Sequence, residues 1–268
     1  MERSCVKYAI FTLHEEMTLL YSIFIFIFGA LMASFFHLIA QRVPAKESIT
    51  GRSYCPKCHH QLRFIDVMPI LGYIINRGRC HYCQKKIDIA HLIVELLGGF
   101  LFTFAYLMIG FELELLAALI IISVLLIESI SDAYSMTVID RVWIIGIIPL
   151  MIIRIIQGNF WDYLVSSISL FGFLYLLALL GKWIMKKDAF GGGDIKLYLF
   201  IGMGLLLPNN VLSLFIAALF GLIYALLRKN KKNDYIALVP FIFLGVFIAY
   251  YYGDLLLESY MKWLGMGY

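Results

Sequence analysis

The sequence predicts an all-α polytopic membrane protein, and three observations predict it. Of its 268 residues, 62% are hydrophobic and only 15% are charged, with a mean hydropathy of +0.87. A water-soluble globule cannot cover that much apolar surface. The apolar residues also gather into runs bounded by charge, each near the ~20 residues that cross a bilayer as a helix. The basic residues fall between these runs, so the formal net charge of +4 reports topology and gives no reason to invoke nucleic acid.

About eight candidate helices follow, at 18–40, 90–109, 113–130, 142–156, 163–183, 195–207, 211–227 and 235–252. The first is too long for a signal peptide, and residues 1–16 lack the basic cluster, short apolar core and small-residue exit of a cleaved leader. They are expected to be an N-terminal extension, with Met17 a second candidate start and no function attached to Cys5. The sixth run is short and follows three glycines; it can sit at membrane depth where those glycines are buried in protein. The expected organisation is residues 17–110 for two spans joined by a long loop (41–89), 111–254 for a six-helix core, and 255–268 for a C-terminal tail.

Lysine and arginine orient the chain. The loop after the first run carries Arg42, Lys46, Arg52, Lys57, Arg63, Arg77, Arg79, Lys85 and Lys86. Later turns on the same side carry Lys182, Lys186 and Lys187, then Arg228, Lys229, Lys231 and Lys232. The alternate turns, 158–162 and 208–210, carry none. Positive residues face the cytoplasm, which puts both chain ends outside and the long loop inside a cell membrane.

That loop holds Cys55-Pro56-Lys57-Cys58 and Cys80-His81-Tyr82-Cys83, two C-x-x-C knuckles about twenty residues apart, the spacing of a four-thiolate zinc site. A segment this small has little core of its own, so a structural zinc would supply much of its folding free energy. Disulfides are the rival reading, and a reducing cytoplasm disfavours them. His59, His60 and His81 lie beside the thiols and read as exposed loop histidines.

Two acids stand at the cytoplasmic ends of apolar runs. Asp194 follows Gly191-Gly192-Gly193, which remove side chains that would block a peptide backbone from reaching the carboxylate; three glycines can equally mark tight helix packing. Asp132 follows Glu128-Ser129-Ile130-Ser131, with Asp140 further on beside Arg141. An acid alone at a helix end is solvated or paired with a neighbouring base. Two acids brought together can share a proton and activate water, and that pairing is the expectation for Asp132 and Asp194. From the residues alone, a transporter using the acids as a proton relay and a scaffold docking a partner through the zinc loop remain open beside it.

The ordered set adds specificity. A small-residue first span ends in Gln41-Arg42-Val43-Pro44; Gly51-Arg52-Ser53, the two knuckles, Glu95-Leu96-Leu97-Gly98, Asp132, the Gly-Gly-Gly-Asp run with Lys196, and Val239-Pro240-Phe241 follow in turn. This order resembles the type IV prepilin peptidases, also called prepilin leader peptidase and N-methyltransferase, over residues from about 29 to 253. The resemblance implies an eight-helix membrane bundle of the GxGD aspartic protease type. Asp132 and Asp194 fall at the catalytic positions, with Gly191, Gly193, Lys196 and Asp140 supporting the motif. It implies cleavage of prepilins or pilin-like proteins, including competence and type II secretion pseudopilins, after a glycine at the cytoplasmic membrane boundary. It also implies N-methylation of the new terminus with S-adenosylmethionine, for which no glycine-rich nucleotide loop of the Rossmann kind is present. The family often has asparagine at the place of His37, Ile-Pro-Asp at Val138-Ile139-Asp140, and a second Gly-Pro at Phe243-Leu244-Gly245. None of these departures falls on the acid pair.

Overall fold

The computed structural model describes residues 2–55, 57–185, 191–228 and 236–265, without the side chains of 2–15 and 185. Among them lie ten helices: α1 (Glu2–Arg42), α2 (Phe64–Val67), α3 (Leu71–Ile75), α4 (Ile89–Ile109), α5 (Leu113–Ser135), α6 (Asp140–Ile156), α7 (Phe160–Met185), α8 (Gly192–Gly204), α9 (Leu207–Leu227) and α10 (Val239–Trp263). No strand occurs among the described residues; only two isolated β-bridges interrupt the helical pattern. The protein is an all-helical, multi-pass membrane protein. Six helices are long and apolar enough to cross a bilayer: Glu16–Arg42, Ile89–Ile109, Leu113–Ser135, Phe160–Ile184, Leu207–Leu227 and Val239–Trp263. The other two expected spans are α6 and α8, of 17 and 13 residues.

The chain forms two compact units, residues 1–39 with 48–115, and residues 40–47 with 116–268. In the first, α1 and α4 cross at small residues. A Cβ on Gly29 would lie 2.7 Å from the Gly98 carbonyl, and one on Gly98 would collide with Ala33. Such contacts let two backbones approach closely, the usual means of packing helices where lipid removes the hydrophobic drive. At the loop end of this pair the buried Glu95 accepts the Ser34 hydroxyl at 2.8 Å and the Ile70 N–H at 2.7 Å. Ile70 has φ 63°, a costly conformation for a β-branched residue, and Glu95 is the partner that fixes it. The helix of α1 runs without a break through the segment expected to be a separate N-terminal extension.

In the second unit, α8 is surrounded. Ile195, Leu197, Tyr198, Phe200, Ile201, Gly202, Met203 and Gly204 are all buried, against α7, α6 and α9. At ~1.5 Å per residue α8 is about 20 Å long, too short to cross hydrocarbon alone. From Ile195 onward it is largely enclosed by its neighbours, but Gly191 and Gly192 at its start are exposed and not, as the sequence suggests, buried in protein. Its C-terminus is capped by Arg154 of α6, which is fully buried. The guanidinium donates to the carbonyls of Met203 (3.2 Å) and Gly204 (3.1 Å) and to Gln157 (2.7 Å), and lies 3.9 Å over the Tyr163 ring. A cation at these last carbonyls satisfies orphan acceptors and the helix dipole together. The helix therefore ends at Gly204 rather than at 207. At the other end of the chain α10 continues through Trp263, past the expected end at 252 and into the segment read as a tail.

Candidate active site and metal centre

Asp132 lies in the last turns of α5 and is 7% exposed. Its carboxylate accepts the Val239 N–H at 3.0 Å. Val239 opens α10, with Pro240 directly behind it, so Asp132 sits where first-turn N–H groups have no partner within their own helix and where the dipole favours a negative group. The Val-Pro-Phe segment thus presents an amide donor to an acid 107 residues earlier in the chain.

Asp194 lies in the first turn of α8, whose N-cap is Gly191. The two carboxyls are close enough for the charge of Asp132 to act on Asp194. The three glycines before it are not equivalent. A Cβ on Gly191 would stand 2.7 Å from Oδ2 of Asp194, and one on Gly193 would stand 2.8 Å from Cβ of Val138, whereas Gly192 has nothing within 4 Å. The first keeps space for the carboxylate, and the third lets the α5–α6 turn approach α8.

Asp140 and Lys196 pair with each other. The ammonium lies 2.9 Å from Oδ2 of Asp140 with both side chains half exposed, and Oδ1 accepts the Trp143 indole N–H at 3.2 Å. The pair links the start of α6 to the start of α8, and an exposed pair of this kind contributes only about 0–1 kcal/mol. Lys196, not the adjacent Arg141, is the base that Asp140 meets.

The sequence assigns no role to the buried Arg154, and places Glu128 only in the region that would suit the proton-relay reading. Both were detectable, since a charged residue inside an apolar run is expensive and must have a partner, and Glu128 lies four residues before Asp132, on the same helix face. The partners themselves, the Ile139 N–H of the turn after α5 for Glu128 at 2.8 Å and the α8 carbonyls for Arg154, are set by tertiary structure and leave no signature in the residues themselves.

In the first unit the sulfurs of Cys55, Cys58, Cys80 and Cys83 lie within 4.8 Å of one another, and none is in a disulfide. The two knuckles share one backbone pattern. Cys55 N–H donates to His60 and His59 N–H returns to Cys55, while Cys80 N–H donates to Lys85 and Gln84 N–H returns to Cys80. His59 and Gln84 both take positive φ, 56° and 55°, and the bridges Tyr54–Gln61 and Arg79–Lys86 close the two turns alike. A tetrahedral ion with bonds of ~2.3 Å to sulfur spaces its ligands about 3.8 Å apart; Cys55 and Cys83 are 3.9 Å apart. For Cys55 burial pushes the thiol up, but the N–H groups of Cys58 and Lys57 and the adjoining thiols outweigh it and hold it at about 7, whereas Cys58, although its sulfur accepts the His60 N–H, is pushed up to about 11 by desolvation and the other three thiols. The four cysteines therefore fit a metal ion. The three loop histidines are exposed and stand outside this group.

Two acids within reach of one another's charge, in an all-helical multi-pass membrane protein, suit acid–base chemistry or proton transfer. Residues 27–109 match the family model described as Bacterial Peptidase A24 N-terminal domain, and residues 119–226 match that of the Type IV leader peptidase family. The chain is 31% identical to a Prepilin leader peptidase/N-methyltransferase of Bacillus subtilis (strain 168), over 89% of this chain and 97% of the relative. It is 26% identical to a protein of the same name from Neisseria gonorrhoeae, over 89% and 93%, and 30% identical to the Type 4 prepilin-like proteins leader peptide-processing enzyme of Escherichia coli O78:H11, over 73% and 74%. The chain belongs to the type IV leader peptidase family. No solved structure matches it.

Proposed function

We propose that this protein is a membrane aspartic endopeptidase that removes the short basic leader of prepilins or pilin-like proteins and methylates the new amino terminus. What supports the reading is that the Asp132 charge reaches Asp194, beside the space that Gly191 and Gly193 leave, in a chain of this family. In the proposed reaction one carboxylate takes a proton from water while the other, protonated, polarises the scissile carbonyl; the pair titrates as a unit, and the proton passes on to the leaving amine. Residues 111–254 form the peptidase core in this reading, and the loop 41–89 holds the first two spans and orients the leader. The substrate's apolar helix packs among the membrane helices, since leader and loop are both basic and do not attract each other. S-adenosylmethionine supplies the methyl group, and that half of the function rests on the family. Co-expression with a pilin-like precursor tests the reading: the product should lose its leader, and a precursor left at full length would contradict it.

We assign the four thiolates to one structural zinc. Protein purified in reductant should carry about one zinc per chain, lost when Cys55 and Cys58 are both replaced by serine. Metal analysis of the unaltered protein finding none would contradict the assignment. Some cleavage should survive the loss, because no thiol belongs to the acid pair.

The catalytic face is proposed to be cytoplasmic, in a bacterial cell membrane. An impermeant thiol reagent should then reach Asp162→Cys from outside intact cells and Arg228→Cys only after the membrane is opened, with labelling located by peptide mass. The reverse pattern would place the acids and thiols in an oxidising compartment and exclude cleavage at the cytoplasmic boundary.

A further inference from the structure

Besides the two aspartates, of which Asp132 is buried and Asp194 partly exposed, the second unit holds a further carboxyl, Glu128. It is fully buried. Its Oε2 accepts the Ile139 N–H at 2.8 Å, and its Oε1 is buried with no hydrogen-bond partner. An apolar side chain could fill this space without desolvating a carboxyl, so the bond to Ile139 is what an acid adds here.

Ile139 closes the short turn between α5 and α6, and that turn touches both aspartates' helices. It begins at Met136, which has φ 53° and returns its N–H to the Asp132 carbonyl at 2.9 Å. The Ser131 hydroxyl donates to the Thr137 carbonyl at 2.8 Å, and the Ser135 and Thr137 hydroxyls lie 2.7 Å apart. Val138 then occupies the space that Gly193 leaves, and Asp140 holds Lys196. The turn is thus the direct link from the end of α5, where Asp132 stands, to the first turn of α8, where Asp194 stands. Its left-handed start costs free energy, so it must be held by its partners, and Glu128 holds its last amide from inside the core.

We infer that Glu128 is a positioning residue: by binding the Ile139 amide it sets the α5–α6 turn against Gly193 and so fixes the approach of Asp194 to Asp132. The inference rests on the acid-pair reading above. What matters is an acceptor oxygen at that depth, which glutamine also offers and leucine does not. It also predicts a coupling. Leucine at 128 leaves the Ile139 N–H buried without an acceptor, whereas proline at 139 has no N–H to satisfy and needs the native φ of −91° to move by only roughly 10° to enter its range.

The test is cleavage kinetics of a prepilin by purified protein in lipid, for Glu128→Gln, Glu128→Leu, Ile139→Pro and the double variant Glu128→Leu/Ile139→Pro. Glu128→Gln should stay within roughly threefold of the parent, and Glu128→Leu should lose roughly ten- to a hundredfold in kcat with KM little changed, as displacement of catalytic groups does. The double variant should regain most of that loss, a non-additivity that marks a direct interaction. Parental kcat in Glu128→Leu, or a double variant no better than Glu128→Leu, would overturn the inference. Glu128→Gln as inactive as Asp132→Asn would also overturn it, because the carboxyl would then carry a proton itself. If Glu128→Leu fails to insert, the Glu128→Gln and double variants still decide. Asp132→Asn and Asp194→Asn run alongside separate the two readings: cleavage by these would overturn the acid pair, whereas their silence beside a fully active Glu128→Leu overturns only the positioning role.

Discussion

Asparagine at position 132 or at position 194 should abolish leader cleavage, by roughly a thousandfold or more, while the protein inserts at its normal level. Asparagine preserves shape and removes the ionisable proton, so neither variant can complete a pair that must hold one proton and release it. For Asp132 the substitution also weakens a charge-assisted bond to the first amide of α10, but the bundle around it is apolar and remains packed. Asp132→Glu should fail nearly as badly, since an added methylene displaces the carboxyl by about 1 Å and misplacement of that size costs on the order of a hundredfold. Asp140→Asn should be mild, because what it loses is a half-exposed pair with Lys196. Precursor processing, followed on a gel and normalised to membrane protein level, reads all four. Full cleavage by either asparagine variant would remove the acid pair from the mechanism.

Alanine scanned across Gly191, Gly192 and Gly193 should give an uneven result. Gly191→Ala places a methyl 2.7 Å from Oδ2 of Asp194. A carboxylate can swing aside at little cost to folding, so thermal stability should hold while activity falls roughly a hundredfold through misplacement. Gly193→Ala meets Val138 at Cβ, which cannot swing; the α5–α6 turn must shift, and both activity and stability should fall. Gly192→Ala meets nothing within 4 Å and should stay within roughly twofold of the parent, since alanine is the better helix former. Equal losses at all three positions would mean that backbone flexibility, and not space, is what the run supplies.

The membrane helices were legible because hydropathy over about twenty residues is a local property. So were the knuckles, whose ligand spacing lies within each C-x-x-C. The left-handed positions at the tips of the knuckles were not, because His59 and Gln84 stand where glycine would have signalled the turn. Helix ends were legible only where the sequence itself changes character. The stop at Gly204 depends on Arg154 from another helix, so the apolar run overstated it, while the α10 helix persists to Trp263 through residues polar enough to read as a tail. Within the candidate site the run before Asp194 announced itself, but which glycines need their empty space depends on Val138 and on the aspartate's own rotamer. The Val138-Ile139-Asp140 departure from the family's Ile-Pro-Asp could be seen in the sequence; that isoleucine brings an N–H which Glu128 accepts could not, because it depends on how the turn after α5 folds back on that helix.

The most direct test is the mass of a pilin-like protein's N-terminal peptide after co-expression with the parent chain and with Asp194→Asn. The parent should yield a terminus that begins immediately after the leader's glycine and carries one added methyl group, and Asp194→Asn should yield the unprocessed leader. An intact leader with the parent chain, or an equally processed terminus with Asp194→Asn, would contradict the account.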